Sequence, residues 1–304
     1  MRPIFSKQRF AWGVAVFAFF LATSAARASD SSRPLLWKIE GAKTSYLFGT
    51  IHVPDERVLK LNPSVRAALD GADAVFTELP MDMGTQMKIA MKSMLPEGKT
   101  LKDVLPKDLY AKIDKLFASK GLPMMMLGRF KIWAIAVQVT LLDHLMEFAS
   151  KQPLDQYIYK QAGDAGKQVG GLETTAEQLA VFDSLSQKEQ VKMLRDALDE
   201  RDKYKAKGVD FIKVLIDIYL RGDEKELLNK ITEEYDPTDP LDRKMMKLLF
   251  TDRNTRMTER IAAKLKASPE KSQFFAIGSG HLPGPEGIVS RLQKAGFKVT
   301  RIGR

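Results

Sequence analysis

Short apolar runs lie near both ends of the chain and enclose a long middle section with helical spacing. The runs 35–40 and 45–48 flank a polar turn and predict a β-hairpin. The run 73–80 predicts a further strand, and Asn62-Pro63 before it is typical of a helix start. Strand, helix and strand in this order favour a right-handed crossover between parallel strands.

The middle of the chain has the periodicity of helices. Helical segments are expected over about 83–150 and about 187–268, with glycine or proline turns between them. The first includes the methionine-rich stretch 123–148, whose apolar positions are typical of side chains that fill gaps in a core. Between the two segments, 167–173 predicts a short strand, followed by a helix that is capped at Thr174 or Thr175.

The last apolar run ends at Gly278, and a loop, a helix over 288–295 and a strand over 297–302 follow it. The predicted strands therefore come from both ends of the chain. The predicted fold class is α/β, with a mixed central sheet built from both chain ends and a large helical insertion. We expect one domain over 29–304, with mainly helical insertions at about 83–160 and 174–268.

Residues 1–28 have the pattern of a secretory signal peptide. Three basic residues precede an apolar stretch at about 10–22, and Ala26-Arg27-Ala28 fits a cleavage site. The stretch is shorter than the roughly 20 apolar residues that a membrane span needs. We expect cleavage before Ser29, a periplasmic or secreted mature protein, and no stable membrane span after cleavage.

Composition narrows the functional classes. Removal of the four basic residues of the signal lowers the formal net charge from +10 to +6 over 276 residues. The remaining lysines are spread along predicted helices and are not gathered with aromatic residues, so a nucleic-acid partner is not expected. The chain has no cysteine, which excludes thiol catalysis, thiolate metal ligands and disulfide bonds.

Two of the three histidines close similar segments near opposite ends of the chain. Each follows an apolar run and completes a Gly-x-x-His pattern, one at His52 and the other at His281. Ligands of open α/β sheets gather beyond the carboxyl ends of strands. Both histidines, with Glu78 and Glu173, are predicted to lie at such ends.

His52, Glu78 and His281 would suffice as the protein ligands of a divalent metal that keeps an open coordination position. Such a metal would lower the pKa of bound water and polarise a carbonyl, and Glu173 or another acid would transfer protons. Hydrolysis is then the expected reaction. The two ring nitrogens and a Glu78 oxygen should converge within about 5 Å of one point, since bound metal–ligand distances are about 2.0–2.2 Å.

Other interpretations of the same residues remain open. The two histidines, 229 residues apart, are equally consistent with hydrogen-bonded core residues. Ser279 could be a nucleophile, although its surroundings are not the G-x-S-x-G elbow. Glycines 278, 280, 284 and 287 could cradle a phosphate before a helix, although they lack the lysine and spacing of a P-loop. No H-E-x-x-H motif occurs, and His144 is interpreted as an ordinary helix residue.

Five motifs along the chain point to a known family. In order they are Tyr46-Leu-Phe-Gly-Thr-Ile-His52, Val75-Phe-Thr-Glu78-Leu-Pro80, Gly171-Leu-Glu173-Thr with Glu177-Gln178, Asp252-Arg253-Asn254 and Ile277-Gly-Ser-Gly-His281-Leu-Pro-Gly. Together they closely resemble the TraB/GumN family, which is related to the Tiki metalloproteases. The resemblance covers essentially the whole mature chain, and the two G-x-x-H motifs with the intervening glutamate are its most specific part.

The resemblance implies a metal-dependent, hydrolase-like site in which His52, Glu78 and His281 hold the metal. In the Tiki branch the activity is proteolysis supported by manganese or cobalt, and manganese, cobalt or zinc is the cofactor expected here. The family's further polar positions, expected to surround the pocket and to act in catalysis with Glu78, are Arg129, Glu173, Arg253 and Asn254. Capping of backbone groups is the alternative role for an arginine or asparagine near a strand end.

The favoured function is metal-dependent hydrolysis by an exported protein. A peptide is the expected substrate, with another small molecule as the alternative. The second function is not catalytic: a periplasmic ligand-binding or interaction protein that uses the same cleft and contacts its partner through 123–148. No oligomeric state is predicted.

Overall fold

The computed structural model describes residues 33–303, so the predicted signal peptide lies outside the described residues. Within 33–303 the sheet has six strands. They are β1 Leu36–Ile39, β2 Ser45–Thr50, β3 Ala74–Thr77, β4 Gln168–Gly171, β5 Gln273–Gly278 and β6 Val299–Arg301. Their order across the sheet is β4-β3-β5-β2-β1-β6.

The sheet is mixed and is built from both chain ends, which confirms the predicted fold class. Strands β4, β3, β5 and β2 are parallel neighbours, whereas β1 is antiparallel to both β2 and β6. The first strand–helix–strand unit does not pair its own strands, because β5 lies between β2 and β3. A strand from the C-terminal part of the chain thus occupies the centre of the parallel region.

Helices fill the connections between the strands. Between β2 and β3 are α1 Glu56–Leu59 and α2 Pro63–Gly71. Between β3 and β4 are α3 Met83–Lys92, α4 Leu101–Val104, α5 Lys107–Ala118, α6 Met124–Leu127, α7 Ile132–Thr140, α8 Leu145–Ser150 and α9 Leu154–Asp164. Between β4 and β5 are α10 Thr175–Asp183, α11 Gln187–Ala206, α12 Phe211–Arg221, α13 Glu224–Thr232, α14 Pro240–Met246 and α15 Asp252–Ala267, and α16 Ile288–Lys294 precedes β6. None of the helices over 33–303 is both long enough and apolar enough to cross a membrane.

Local sequence explains where several helices begin. The Asn62 side chain accepts a hydrogen bond from the Ser64 backbone N–H, and Pro63 takes the first position of α2. Thr174 and Glu177 form a reciprocal capping box at α10, as the sequence predicts. The box places the start of α10 directly after β4.

Strands β3 and β5 are buried along their whole length, which explains why they are nearly continuous apolar runs. Phe275 stacks on Phe76 across the sheet with 5.7 Å between ring centroids, and Phe274 lies 5.8 Å from Phe48. A second apolar core lies among the helices, chiefly α5, α7, α10 and α11. The helical connections therefore pack on one another as well as on the sheet.

The methionine-rich stretch 123–148 is divided into α6, α7, a 3₁₀ turn and α8. Met124 is buried, but Met125 and Met126 are 92% and 63% exposed, so the prediction that these methionines fill a core is wrong for two of them. The reason is that α6 is a single turn, which presents only Met124 and Leu127, three positions apart, to the interior. On α3, the exposed methionines are Met83, Met87 and Met91.

Two glycines with left-handed backbone allow a matched test of packing. A Cβ at Gly222 (φ +65°) would lie 1.7 Å from the Arg33 carbonyl oxygen, whereas a Cβ at Gly208 (φ +63°) would meet nothing within 4 Å. We expect Gly208→Ala to cost about 1–2 kcal/mol of unfolding free energy from the backbone alone. Gly222→Ala should cost about 1–3 kcal/mol more, because the segment at Arg33 must move. Urea unfolding of both variants measures the difference, and equal losses would contradict the prediction.

Candidate metal centre

The carboxyl ends of the four parallel strands meet at one edge of the sheet. The pairing sets Thr50 opposite Gly278 and Thr77 opposite Gly171. The side chains that follow these ends within three residues are His52, Glu78, Glu173 and His281. With Asp155, Arg253, Asn254 and Arg256, which contact them, they form a group that we call the edge cluster.

Two imidazoles face the same carboxylate oxygen. Glu78 Oε1 lies 3.7 Å from His52 Nε2 and 3.8 Å from His281 Nε2, so the three groups are within 5 Å of one point, as the sequence predicts. Gly278 lies beside all three: a Cβ on it would be 2.9 Å from Glu78 Oε1 and 3.0 Å from His52 Nε2. The missing side chain at this position is what leaves space between the donor atoms.

The His52 ring is held from the side of helix α9. Its Nδ1 lies 2.6 Å from Asp155 Oδ2, and Thr50 Oγ1 donates to Asp155 Oδ1 at 2.5 Å. Because a carboxylate accepts, Nδ1 carries a hydrogen and Nε2 faces Glu78. Burial opposes protonation of the ring, but Asp155 and then Glu78 raise the pKa of His52 to about 9. A metal ion at Nε2 would therefore displace a proton.

The His281 ring is held by an amide. Its Nδ1 lies 2.6 Å from Asn254 Oδ1, and Asn254 Nδ2 donates to the Glu286 carbonyl at 2.9 Å, which orients the amide. The imidazole therefore donates through Nδ1, and its Nε2 lone pair is available. Burial, followed by the charge of Arg253, lowers the pKa of His281 to about 4, so this ring is neutral at neutral pH.

Three donors hold the Glu78 carboxylate. The Gly278 N–H donates to Oε1 at 2.7 Å, while Arg253 Nη2 and Gln178 Nε2 donate to Oε2 at 2.6 and 3.1 Å. Burial acts to raise the pKa of Glu78, but Arg253 and the two nearby histidines hold it well below its usual range. The group is ionised, and Oε1 keeps acceptor capacity beside the two Nε2 atoms.

Glu173 is an anchor for arginine side chains. Arg253 donates to its Oε2 through Nη2 at 2.7 Å and Nε at 2.9 Å, and so joins Glu173 to Glu78. Arg256 donates to Oε1 through Nη2 and Nε at 2.5 and 3.1 Å. Both oxygens of a carboxylate that is 4% exposed are thus engaged. A role for Glu173 in proton transfer stays a prediction, and these contacts do not favour it.

A π turn over Lys247–Thr251 joins α14 to α15 and precedes two members of the cluster. Arg253 and Asn254 are adjacent in sequence and both buried, yet one contacts the carboxylates and the other contacts His281. Phe250, inside the turn, lies with its ring centroid 5.3 Å from that of His281. Wide turns of this kind are frequent at functional sites.

Arg129, predicted to lie near the pocket, is exposed in the turn after α6. Its backbone carbonyl accepts from the Leu95 N–H at 2.7 Å. Across 33–303, no hydrogen bond or ion pair links its side chain to the edge cluster. A catalytic role for Arg129 therefore stays a prediction without a supporting contact.

Two members of the edge cluster, Asp155 and Arg256, cannot be identified as site residues from the sequence. Asp155 lies in the first turn of α9, where an acidic residue commonly does no more than complement the helix dipole. Arg256 lies among several basic residues of α15. Only the packing of these helices against the carboxyl edge of the sheet shows that they reach the histidine and the glutamate.

The donor atoms have the chemistry of a metal site, but the side chains alone do not complete one. Between residues 33 and 303, no group of three His, Asp or Glu side chains is arranged so that it could hold a metal ion. The orientation of the donor atoms is nevertheless the same as in metal sites. Each Nδ1 is fixed by an oxygen, and each Nε2 faces an ionised carboxylate. The types of donor atom and their orientation are those that a divalent metal accepts.

Comparison with known proteins identifies the family of the chain. The model of the TraB/PrgY/gumN family matches residues 35–301. The chain belongs to the TraB/PrgY/gumN family. This confirms the family that the motifs predict.

The TraB/PrgY/gumN chain is similar to curated metalloproteases. It is 26% identical to Metalloprotease TIKI2 of Danio rerio, over 95% of this chain and 67% of the relative. It is 26% identical to Metalloprotease TIKI1 of Homo sapiens, over 87% of this chain and 61% of the relative. An uncharacterized protein of Treponema pallidum (strain Nichols) is 24% identical over 86% of this chain and 80% of its own length. No solved structure matches the chain significantly.

Removal of the central guanidinium tests how far the edge cluster stabilises the fold. Arg253→Met leaves the buried carboxylate of Glu78 without its main partner, so we expect a loss of about 3–5 kcal/mol in unfolding free energy. Arg195→Met removes an ion pair with Asp108 whose side chains are 44% and 66% exposed, and should cost less than about 1 kcal/mol. Urea unfolding compares the two variants, and similar losses would show that Arg253 is not needed for stability.

Proposed function

We propose that this protein is a metal-dependent hydrolase of peptide bonds, with a divalent metal held by His52, Glu78 and His281. The observation that carries the proposal is the hydrogen bonding and orientation of the His52 and His281 imidazole rings. Each has its Nδ1 in a 2.6 Å hydrogen bond and its Nε2 at 3.7 or 3.8 Å from Glu78 Oε1, too far for a hydrogen bond. Hydrogen-bonded core histidines would use both nitrogens.

The chain's own residues have separate tasks in this proposal. A bound metal would supply an activated water and polarise a substrate carbonyl. Asp155 and Asn254 are positioning residues, because each fixes the tautomer and orientation of one ring. Glu78 is kept ionised by Arg253, which leaves its Oε1 available as the third ligand beside the two rings.

The names of the similar proteins support a peptide as the substrate class, since Metalloprotease TIKI1 and Metalloprotease TIKI2 are both metalloproteases by name. The chain spans about three-fifths to two-thirds of the length of these two relatives. Manganese, cobalt and zinc all accept imidazole and carboxylate ligands. We also infer that the mature protein is periplasmic or secreted, on the pattern of residues 1–28.

Metal binding is the first test of this proposal. The mature chain should bind manganese, cobalt or zinc in a 1:1 ratio, and a metal at 100 times its Kd should add about 2.7 kcal/mol to the unfolding free energy. His52→Ala and His281→Ala should abolish both effects. His144→Ala is the matched control, because this third histidine lies outside the edge cluster, and it should retain the metal response.

Elemental analysis after dialysis and thermal unfolding with each metal give the readouts. A wild-type protein that binds no divalent metal and gains no stability from one would remove the basis of the proposal. A response that survives in both histidine variants would place the metal elsewhere.

Gly278→Ala tests the space between the donor atoms without removing any of them. Gly278 has φ −48°, which alanine adopts without strain, but the new Cβ would lie 3.0 Å from His52 Nε2 and 2.9 Å from Glu78 Oε1. We expect metal affinity to fall at least tenfold and metal-dependent cleavage of peptides to be lost. Gly163→Ala, where a Cβ meets nothing within 4 Å, is the control.

Cleavage can be followed by mass spectrometry of a mixed peptide library, with and without EDTA. Full metal-dependent cleavage by Gly278→Ala would contradict a reaction at this point. Loss of cleavage in Gly163→Ala as well would mean that the assay reports stability and not the site.

The second candidate function is binding without catalysis. One observation favours it: five methionines on α3 and α6 are between 59% and 92% exposed, and exposed methionines form adaptable contact surfaces. Helix α3 begins five residues after Glu78, so this surface lies near the edge cluster in sequence. Peptide binding that persists in His52→Ala, with no cleavage by the wild type, would favour this candidate over hydrolysis.

A further inference from the structure

A cavity of about 470 Å³ lies away from the carboxyl edge of the sheet. It is open on one side and is lined by the segment from the end of α7 to α8, by the C-terminal half of α11 and by the start of α12. No member of the edge cluster lines it. Its volume is within the range of small-molecule binding sites, which is about 300–1,000 Å³.

The walls of this cavity hold more acidic groups than their own cations neutralise. Asp143 is paired with Lys120 at 2.5 Å and with Arg201 at 2.7 Å, which engages two of the three cations of the wall. The third, Lys205, is exposed, and no ion pair joins it to an acid of the wall within the described residues. Of the other acids, Asp210 accepts from the Ile212 and Lys213 backbone N–H groups, and Glu147 Oε2 lies 3.5 Å from His144 Nδ1. The acid that remains is Glu200.

Glu200 is the most informative of these acids. It is 8% exposed and lines the cavity, and no hydrogen bond or ion pair from any part of the chain between 33 and 303 reaches its carboxyl group. Glu147 Oε2 and Arg201 Nε, on the same walls, are also buried without a hydrogen-bond partner. A buried polar group without a partner costs free energy, so the Glu200 carboxyl group favours a ligand or water in the cavity.

The rest of the wall is apolar and aromatic. Tyr204 and Phe211 lie with ring centroids 5.0 Å apart, next to Val209 and Ile212. The Lys230 ammonium already lies over both rings, at 5.5 and 5.3 Å from their centroids. The cavity thus combines the Glu200 carboxyl group with a surface suited to an aliphatic body.

We propose that this cavity binds a small organic cation, an aliphatic amine or guanidine, whose charged group contacts Glu200 and Glu147 and whose body lies against Tyr204 and Phe211. The site is independent of the proposed metal centre.

The state of Glu200 gives the proposal a further readout. Burial, followed by the charge of Glu234, raises the pKa of Glu200 to about 8, against the opposing effect of Lys203 and Lys230. Glu200 is therefore mostly protonated at pH 7 when the cavity holds no cation. A bound ammonium group favours the ionised form, so binding should release a proton.

Calorimetric titration of the full mature chain tests the site, with putrescine and agmatine as probes and uncharged 1,4-butanediol as the neutral counterpart of putrescine. One of the cations should bind at least tenfold more tightly than butanediol. The binding heat should change with the ionisation enthalpy of the buffer, as proton release requires. Glu200→Gln should weaken cation binding at least tenfold, whereas Glu270→Gln, at an exposed carboxylate far along the chain, should not change it.

Three results would overturn the proposal: equal binding of putrescine, agmatine and butanediol, unchanged cation affinity in Glu200→Gln, or binding of Mg²⁺ or Ca²⁺ at Glu200 without binding of either amine. Glu200→Gln removes an unpaired buried acid, so it should fold at least as well as the wild type. Should that variant not fold, Glu147→Gln and the butanediol comparison on the wild type decide the question.

Discussion

Parallel pairing of β2 with β5 is the contact on which the candidate metal centre depends. It sets Tyr46 opposite Phe274 and Thr50 opposite Gly278, so two histidines from distant parts of the chain emerge side by side. Because β5 also pairs with β3, one central strand positions all three proposed ligands. A slip of one residue in this pairing would turn every side chain of the strand to the other face of the sheet. The buried aromatic residues of β5 oppose such a slip. Packing of the core therefore also fixes the geometry of the site.

The second constraint is charge balance in a buried place. The acids of the edge cluster are Glu78, Asp155 and Glu173, and its cations are Arg253, Arg256 and the protonated ring of His52. Buried charges are tolerated only when they are paired, and here the numbers of positive and negative groups are equal. A divalent metal bound by His52, Glu78 and His281 would displace the proton on His52 and add one net positive charge to the cluster.

Much of the fold and part of the site could be predicted from the sequence. Apolar runs that end on glycine or an acid indicated the strands, and the repeated Gly-x-x-His pattern indicated that His52 and His281 lie at one edge. The position of β5 between β2 and β3 could not be predicted from local periodicity, because it depends on contacts between distant segments. Asp155 could not be predicted for the same reason. An acid in the first turn of a helix has no distinctive sequence pattern, and its contact with His52 depends on how α9 packs against the sheet.

The exposed methionines show where prediction from residue type fails. Composition suggested a core stripe in 123–148, but a one-turn helix has too few positions to bury more than one side, so Met125 and Met126 face solvent. The family resemblance places Arg129 among the further polar positions around the pocket, and the structure places it outside the edge cluster. The type of a residue predicts its role well only where the backbone geometry fixes the direction of its side chain.

The number of residues in the π turn over Lys247–Thr251 determines which side chains of α15 reach the edge cluster. An α-helix advances by about 100° for each residue, so one residue more or less before α15 would rotate its first turn by that angle. Arg253 would then leave the carboxylates and Asn254 would leave His281, although every amino acid of the cluster was still present. This segment would tolerate a change of residue type at several positions, but not a change in the number of residues.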